Sequence, residues 1–97
     1  MTDLEYLKKF HEIRDISDIV RAIEKLDLLI CQNDWPAVDR HLQEVSQKHI
    51  REKVIYNSIH PSPSQSIQQN AMNCRQFLIA LAKAKVAEEM HKHPGGN

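Results

Sequence analysis

The sequence predicts an all-α protein, a small antiparallel four-helix bundle that associates as a dimer. Three observations lead there. The 97-residue chain has two glycines, Gly95 and Gly96, both in its last three residues. Folds rich in strands or loops use glycine for tight turns and for close backbone approach to ligands. Apolar residues recur at helical spacing through most of the chain. Aromatic residues are few (Tyr6, Phe10, Trp35, Tyr56 and Phe77), so the core must be built from Leu, Ile, Val and Ala.

The length suits one domain, residues 1–97, with a modest core. Hydrophobic residues at 41% and charged residues at 27% are ordinary for a folded chain. The first helix is expected over 3–14, opened by Thr2-x-x-Glu5 in the pattern of a capping box. Its apolar residues, Leu4, Leu7, Phe10 and Ile13, spread widely around the helix, as in a segment that covers something larger.

The second helix is expected over 17–31, with Asp15 or Ser17 at its start. Ile16, Ile19, Val20, Ile23, Leu26 and Ile30 make an amphipathic stripe, which Leu28 and Leu29 widen. Asp18, Arg21, Glu24 and Lys25 take the other face. Gln32-Asn33-Asp34-Trp35-Pro36 then marks a helix-to-helix corner. Asn33 or Asp34 can cap, and proline is tolerated in the first turn of the next helix. Trp35 is expected to pin this corner onto the core.

A third helix is expected over 35–58, with Trp35, Val38, Leu42, Val45, His49 and Tyr56 near one face. Ile50 and Val54 point about 120–160° away from that stripe at helical spacing. The second half of this helix therefore packs on two neighbours or is broken. Residues 60–66, with Pro61, Pro63 and three serines, form a loop. Ser64 or Ser66 caps a fourth helix over 65–91. Its main stripe is Ile67, Ala71, Cys74, Leu78 and Leu81, and its run from Phe77 to Ala82 is apolar all round. Residues 94–97 read as a flexible tail.

The segment from Ala22 to Gln47 reads as a helical hairpin. In spacing it resembles one helix pair of tetratricopeptide-type or export-chaperone proteins. The resemblance covers about a quarter of the chain and lacks the small-residue pattern of those families.

Thirteen basic and thirteen acidic residues leave no net charge, which speaks against a dedicated DNA-binding protein. The charge is uneven. Residues 1–34 carry eight acids and five bases, a balance of −3. Residues 35–97 carry five acids and eight bases, a balance of +3. That pattern fits two solvated faces of one bundle, or self-association through opposite charges. Lys48, His49, Arg51 and Lys53 cluster on the third helix, diluted by Glu44 and Glu52 and without interleaved aromatics. They support a second reading, a nucleic-acid-associated regulator using the basic side of helices three and four.

Charge begins at the third residue, no signal-like segment opens the sequence, and no apolar run approaches membrane-spanning length. A cytoplasmic protein is expected, with Cys31 and Cys74 as free, buried thiols. No glycine-rich phosphate loop, nucleophile elbow or HExxH motif occurs, so no enzyme and no cofactor are expected. The six histidines are scattered, and His41, His49 and Cys74 are the one set considered for zinc. No metal is expected.

The surplus of apolar faces points instead to partners. Met72, Ile79, Val86 and Met90 share one side of the fourth helix. Together with Ile50 and Val54 they are the expected partner-binding residues. The function this implies is a protein-protein interaction module without catalysis: an adaptor, a chaperone-like protein or a regulator, paired as a homodimer and with a further protein partner.

Overall fold

The structure, a computed structural model, describes residues 2–49, 51 and 66–92. Four helices account for most of them: α1 (Asp3–Lys8), α2 (Arg14–Cys31), α3 (Trp35–Lys48) and α4 (Ile67–Lys92). Among the described residues there is no strand.

The hydroxyl of Thr2 caps α1, accepting from the Glu5 N–H at 3.1 Å. The helix stops at Lys8, not at residue 14. From there Lys9, Phe10 and Ile13 each bond to the carbonyl three residues back, and Ile13 is extended. The scattered apolar residues explain the break. A continuous helix over 3–14 would spread them around its circumference. The turns over 9–13 leave Leu7 buried while Phe10 and Ile13 also pack against the core. The Tyr6 and Phe10 rings meet edge to face at 5.4 Å.

Extended Ile13 leads directly into α2, which therefore begins three residues before the expected position. Ser17 lies inside the helix, bonded to the Ile13 carbonyl at 2.9 Å, and no side chain caps this end. The expected stripe of Ile16, Ile19, Val20, Ile23 and Leu26 is buried. Leu28 is not part of it: it is 56% exposed, because it projects about 145° from the stripe's centre.

The corner between α2 and α3 turns without glycine. Asn33 takes a left-handed φ of 55°, which asparagine tolerates better than most residues. Its N–H bonds to the Ile30 carbonyl at 3.0 Å, and that of Asp34 bonds to Leu29 at 3.2 Å. This is the paired closure of a Schellman motif, with asparagine in the usual glycine place. The Asp34 carboxylate then caps α3 by accepting from the Ala37 N–H at 3.3 Å. Pro36 falls in the first turn, where its missing N–H costs nothing. Trp35 packs against the core as expected.

α3 ends at Lys48, ten residues short of the expected 58, so of the two alternatives for this helix the break is the one observed. His49 closes it, buried and edge to face with Phe77 of α4 at 5.8 Å. The inward stripe of Val38, Leu42 and Val45 ends there, where the sequence shifts its apolar residues to another side. Ile50, Val54, nearly all of the Pro/Ser loop and the 94–97 tail lie outside the described residues. Ser66 is described and caps α4, accepting from the Gln69 N–H at 3.1 Å.

Among the described residues, α4 packs on all three other helices. At 26 residues it runs about 39 Å, and it dominates a molecule 47 Å in longest extent. Ala71, Cys74, Phe77, Leu78, Leu81, Ala82 and Val86 contribute to a single core shared with Leu7 and with the stripes of α2 and α3.

Ion pairs join the same helices at the core's edge. The Arg75 guanidinium grips Asp27 of α2 with two bonds, at 2.8 and 3.2 Å. Lys83 reaches Asp3 of α1 at 2.8 Å, and Lys8 reaches Glu24 at 3.0 Å. Each pair is half-exposed and contributes roughly 0–1 kcal/mol. Asp3–Lys83 and Asp27–Arg75 both link the acidic first third of the chain to the basic remainder. Part of the charge asymmetry is thus satisfied within one chain.

Candidate interaction surface

The outer side of α4 carries the apolar residues that the core does not take. Met72 is 58% and Met90 61% exposed. They lie eighteen residues apart, about five turns, so they occupy the same side of the helix. Ile79 sits between them, half-buried and packed against the core. Ala80, Ala84 and Ala87 are exposed nearby.

Val86 requires a correction. It is 2% exposed and belongs to the core of this chain. The helical wheel places it about 40° from Met72, close enough to suggest a shared face. α1 changes its surroundings, because the Asp3–Lys83 pair brings the start of α1 against this stretch of α4. Thr2, Asp3, Tyr6, Lys83, Val86, Ala87 and Met90 line an open groove of about 520 Å³ there. Of the expected partner-binding residues, Met72 and Met90 are exposed, Ile79 is at the margin and Val86 is inside. Leu28 is an exposed leucine that sequence reasoning assigns to the core. Its angle from the stripe of α2 is the available signal.

The described histidines and cysteines do not assemble a site. Among the described residues, no three His, Cys, Asp or Glu side chains gather to hold a metal ion. The His41 ring lies against α2, its Nε2 donating to the Ala22 carbonyl at 3.0 Å, while its Nδ1 is buried without a hydrogen-bond partner. Both cysteines are free thiols; Cys74 is buried as expected, whereas Cys31, also expected to be buried, is exposed at the C-terminal end of α2. Burial pushes the Cys74 thiol up to about 12, leaving it a neutral core residue and a poor nucleophile at neutral pH. Hydrogen bonding to Asp27 raises the Arg75 guanidinium further above its ordinary value.

The basic cluster is also thinner than its sequence suggests. His49 turns into the core, Lys48 and Arg51 are exposed, and Lys53 lies outside the described residues. Among the described residues, no helix is long and apolar enough to cross a membrane. Comparison with known proteins finds no matching family model, no matching curated protein and no matching solved structure.

Proposed function

We propose that this chain is a non-catalytic protein-protein interaction module of the adaptor, chaperone-like or regulatory kind. In this reading it works in the cytoplasm as an antiparallel bundle, paired as a homodimer through the outer side of α4. The observation that carries the reading is the exposure of Met72 and Met90 on one side of a helix whose opposite side fills the core. Methionine is flexible and polarisable and adapts to varied apolar partners. Ala80, Ala84 and Ala87 would let another backbone approach closely. A second copy suits the strip because a methionine stands at each end. A copy running the opposite way across a two-fold axis meets like with like.

The test is sedimentation of the wild type and of a Met72→Glu, Met90→Glu double variant, with circular dichroism as a check on folding. The expected result is a wild-type dimer and a folded monomeric variant. Both side chains point outward, so stability should change by no more than about 0.5 kcal/mol per site. A wild type that stays monomeric at every concentration would remove the homodimer. Retention of DNA at about 50 mM salt, where phosphate contacts are strongest, would move the nucleic-acid reading to first place. Lys48 and Arg51 are the first residues to neutralise in that case.

A further inference from the structure

The groove between α1 and α4 stands at the Met90 end of the methionine strip. Tyr6 lines it from α1, and Val86, Ala87 and Met90 line it from α4. Its polar groups are already engaged. Asp3 and Lys83 pair with each other at 2.8 Å, and the Thr2 hydroxyl caps α1. What the groove of about 520 Å³ offers an occupant is therefore mainly its apolar lining.

The area of α4 alone falls short of a stable dimer. A strip one helix wide, about 10 Å, and 26 residues long offers roughly 400 Å². Stable interfaces bury about 800 Å² on each partner. A second copy must therefore touch more than α4, and α1 is the helix that borders the strip at the Met90 end.

Symmetry decides which residue enters the groove. A two-fold relating two antiparallel helices runs at right angles to both, so the flank carrying α1 lies on the same side of each. With Met72 of one copy opposite Met90 of the other, the axis passes residue 81. Met72 of each copy then lies beside the other copy's groove, which Met90 lines. Methionine is unbranched and fills irregular apolar gaps. Lys83 stands two residues from this axis, where two like charges would oppose each other. Asp3 matches each Lys83 within its own chain.

We propose that two copies of this chain pair by exchanging methionines: Met72 of each inserts into the α1–α4 groove of the other, against Tyr6, Val86 and Met90. This pairing depends on the homodimer reading above and adds α1 to its interface.

Disulfide trapping tests it in the full chain carrying Cys31→Ser, which removes the exposed thiol and leaves only buried Cys74. Met72→Cys and Met90→Cys are purified separately, mixed to exchange subunits and oxidised gently. Disulfides form between Cα atoms within about 7 Å. The mixture should give a covalent dimer, and neither variant should do so alone, because like positions stand about 27 Å apart along the pair. Met72→Cys mixed with Tyr6→Cys should crosslink as well. Where Tyr6→Cys does not fold, Ala87→Cys takes its place in the groove. Sedimentation of the wild type separates the two ideas. A wild-type dimer whose Met72→Cys links to neither groove position, or links to itself, overturns the methionine exchange and leaves the homodimer standing. A wild type that stays monomeric overturns both.

Discussion

α2 and α4 are the two longest helices, and each buries one side in the same core. Their outer sides differ. α2 presents Asp15, Arg21, Glu24 and Lys25 to solvent, with Leu28 as its one large exposed apolar residue. α4 presents Met72, Ala80, Ala84, Ala87 and Met90, with Gln76, Lys83 and Glu88 among them. An amphipathic helix such as α2 is completed by the chain that carries it. α4 must meet three neighbours at once, so its buried arc is wide, running from Phe77 around to Val86. Apolar residues are left over on the far side of that arc. The contrast teaches that surplus hydrophobicity is informative only after the core has taken its share: Val86 is used inside, while Met72 and Met90 are not.

The sharpest way to break this comparison is to strike the shared core from both helices. Leu26 of α2 and Leu78 of α4 are both fully buried. Leu26→Ala and Leu78→Ala should each destabilise the fold by about 2–5 kcal/mol in urea denaturation. A markedly smaller loss for Leu78→Ala would mean that α4 is peripheral and that its outer side says little about partners.

A second experiment uses the thiols, one exposed at the end of α2 and one buried on α4. Cys31 should react promptly with a thiol reagent in the native protein, and Cys74 only after unfolding. The buried thiol also has a pH signature. Its native value is raised from 9.0 to about 12, so the native state holds a proton that the unfolded chain releases. That contribution is fully present below pH 9.0 and is lost as pH rises toward about 12. The loss runs at about 1.4 kcal/mol per pH unit within the window. Cys74→Ala should flatten that part of the decline. An unchanged slope would show the thiol to be accessible in the native state.

The smallest expected effect lies at the corner where α2 ends. Asn33→Val places a β-branched residue at a φ of 55° and should cost about 1–2 kcal/mol. Asn33→Gly should be neutral within a few tenths of a kcal/mol, since glycine reaches that region freely. A harmless Asn33→Val would mean that the corner relaxes and that the α2–α3 geometry is not set by the Schellman closure.

Much of the fold is legible in the sequence because helix formation and capping are local. The stripe of α2, the Asp34 cap, the place of Pro36 and the Ser66 cap all arise from residues a few positions apart. The helix ends are less legible. α1 stops at Lys8 and the turns after it let Phe10 and Ile13 pack on the core beside Leu7, while α3 stops at Lys48 where His49 meets Phe77 of α4, and periodicity within one segment does not encode those requirements. Leu28 and Val86 mislead for opposite reasons. Leu28 reads with its apolar neighbours although its angle already sets it apart. Val86 reads by its angle alone, although a distant helix covers it.

By itself the sequence determined an all-helical chain, an aliphatic core, a glycine-free corner and a surplus of apolar residues on the last helix. These depend on backbone propensity, capping chemistry and spacing, which act over one or two turns. Tertiary structure alone decided which apolar residues the surplus contains and which nitrogen of His41 is left without a partner. Burial and partnership depend on residues far apart in the chain: Asp3 beside Lys83, Ala22 beside His41, Asp27 beside Arg75.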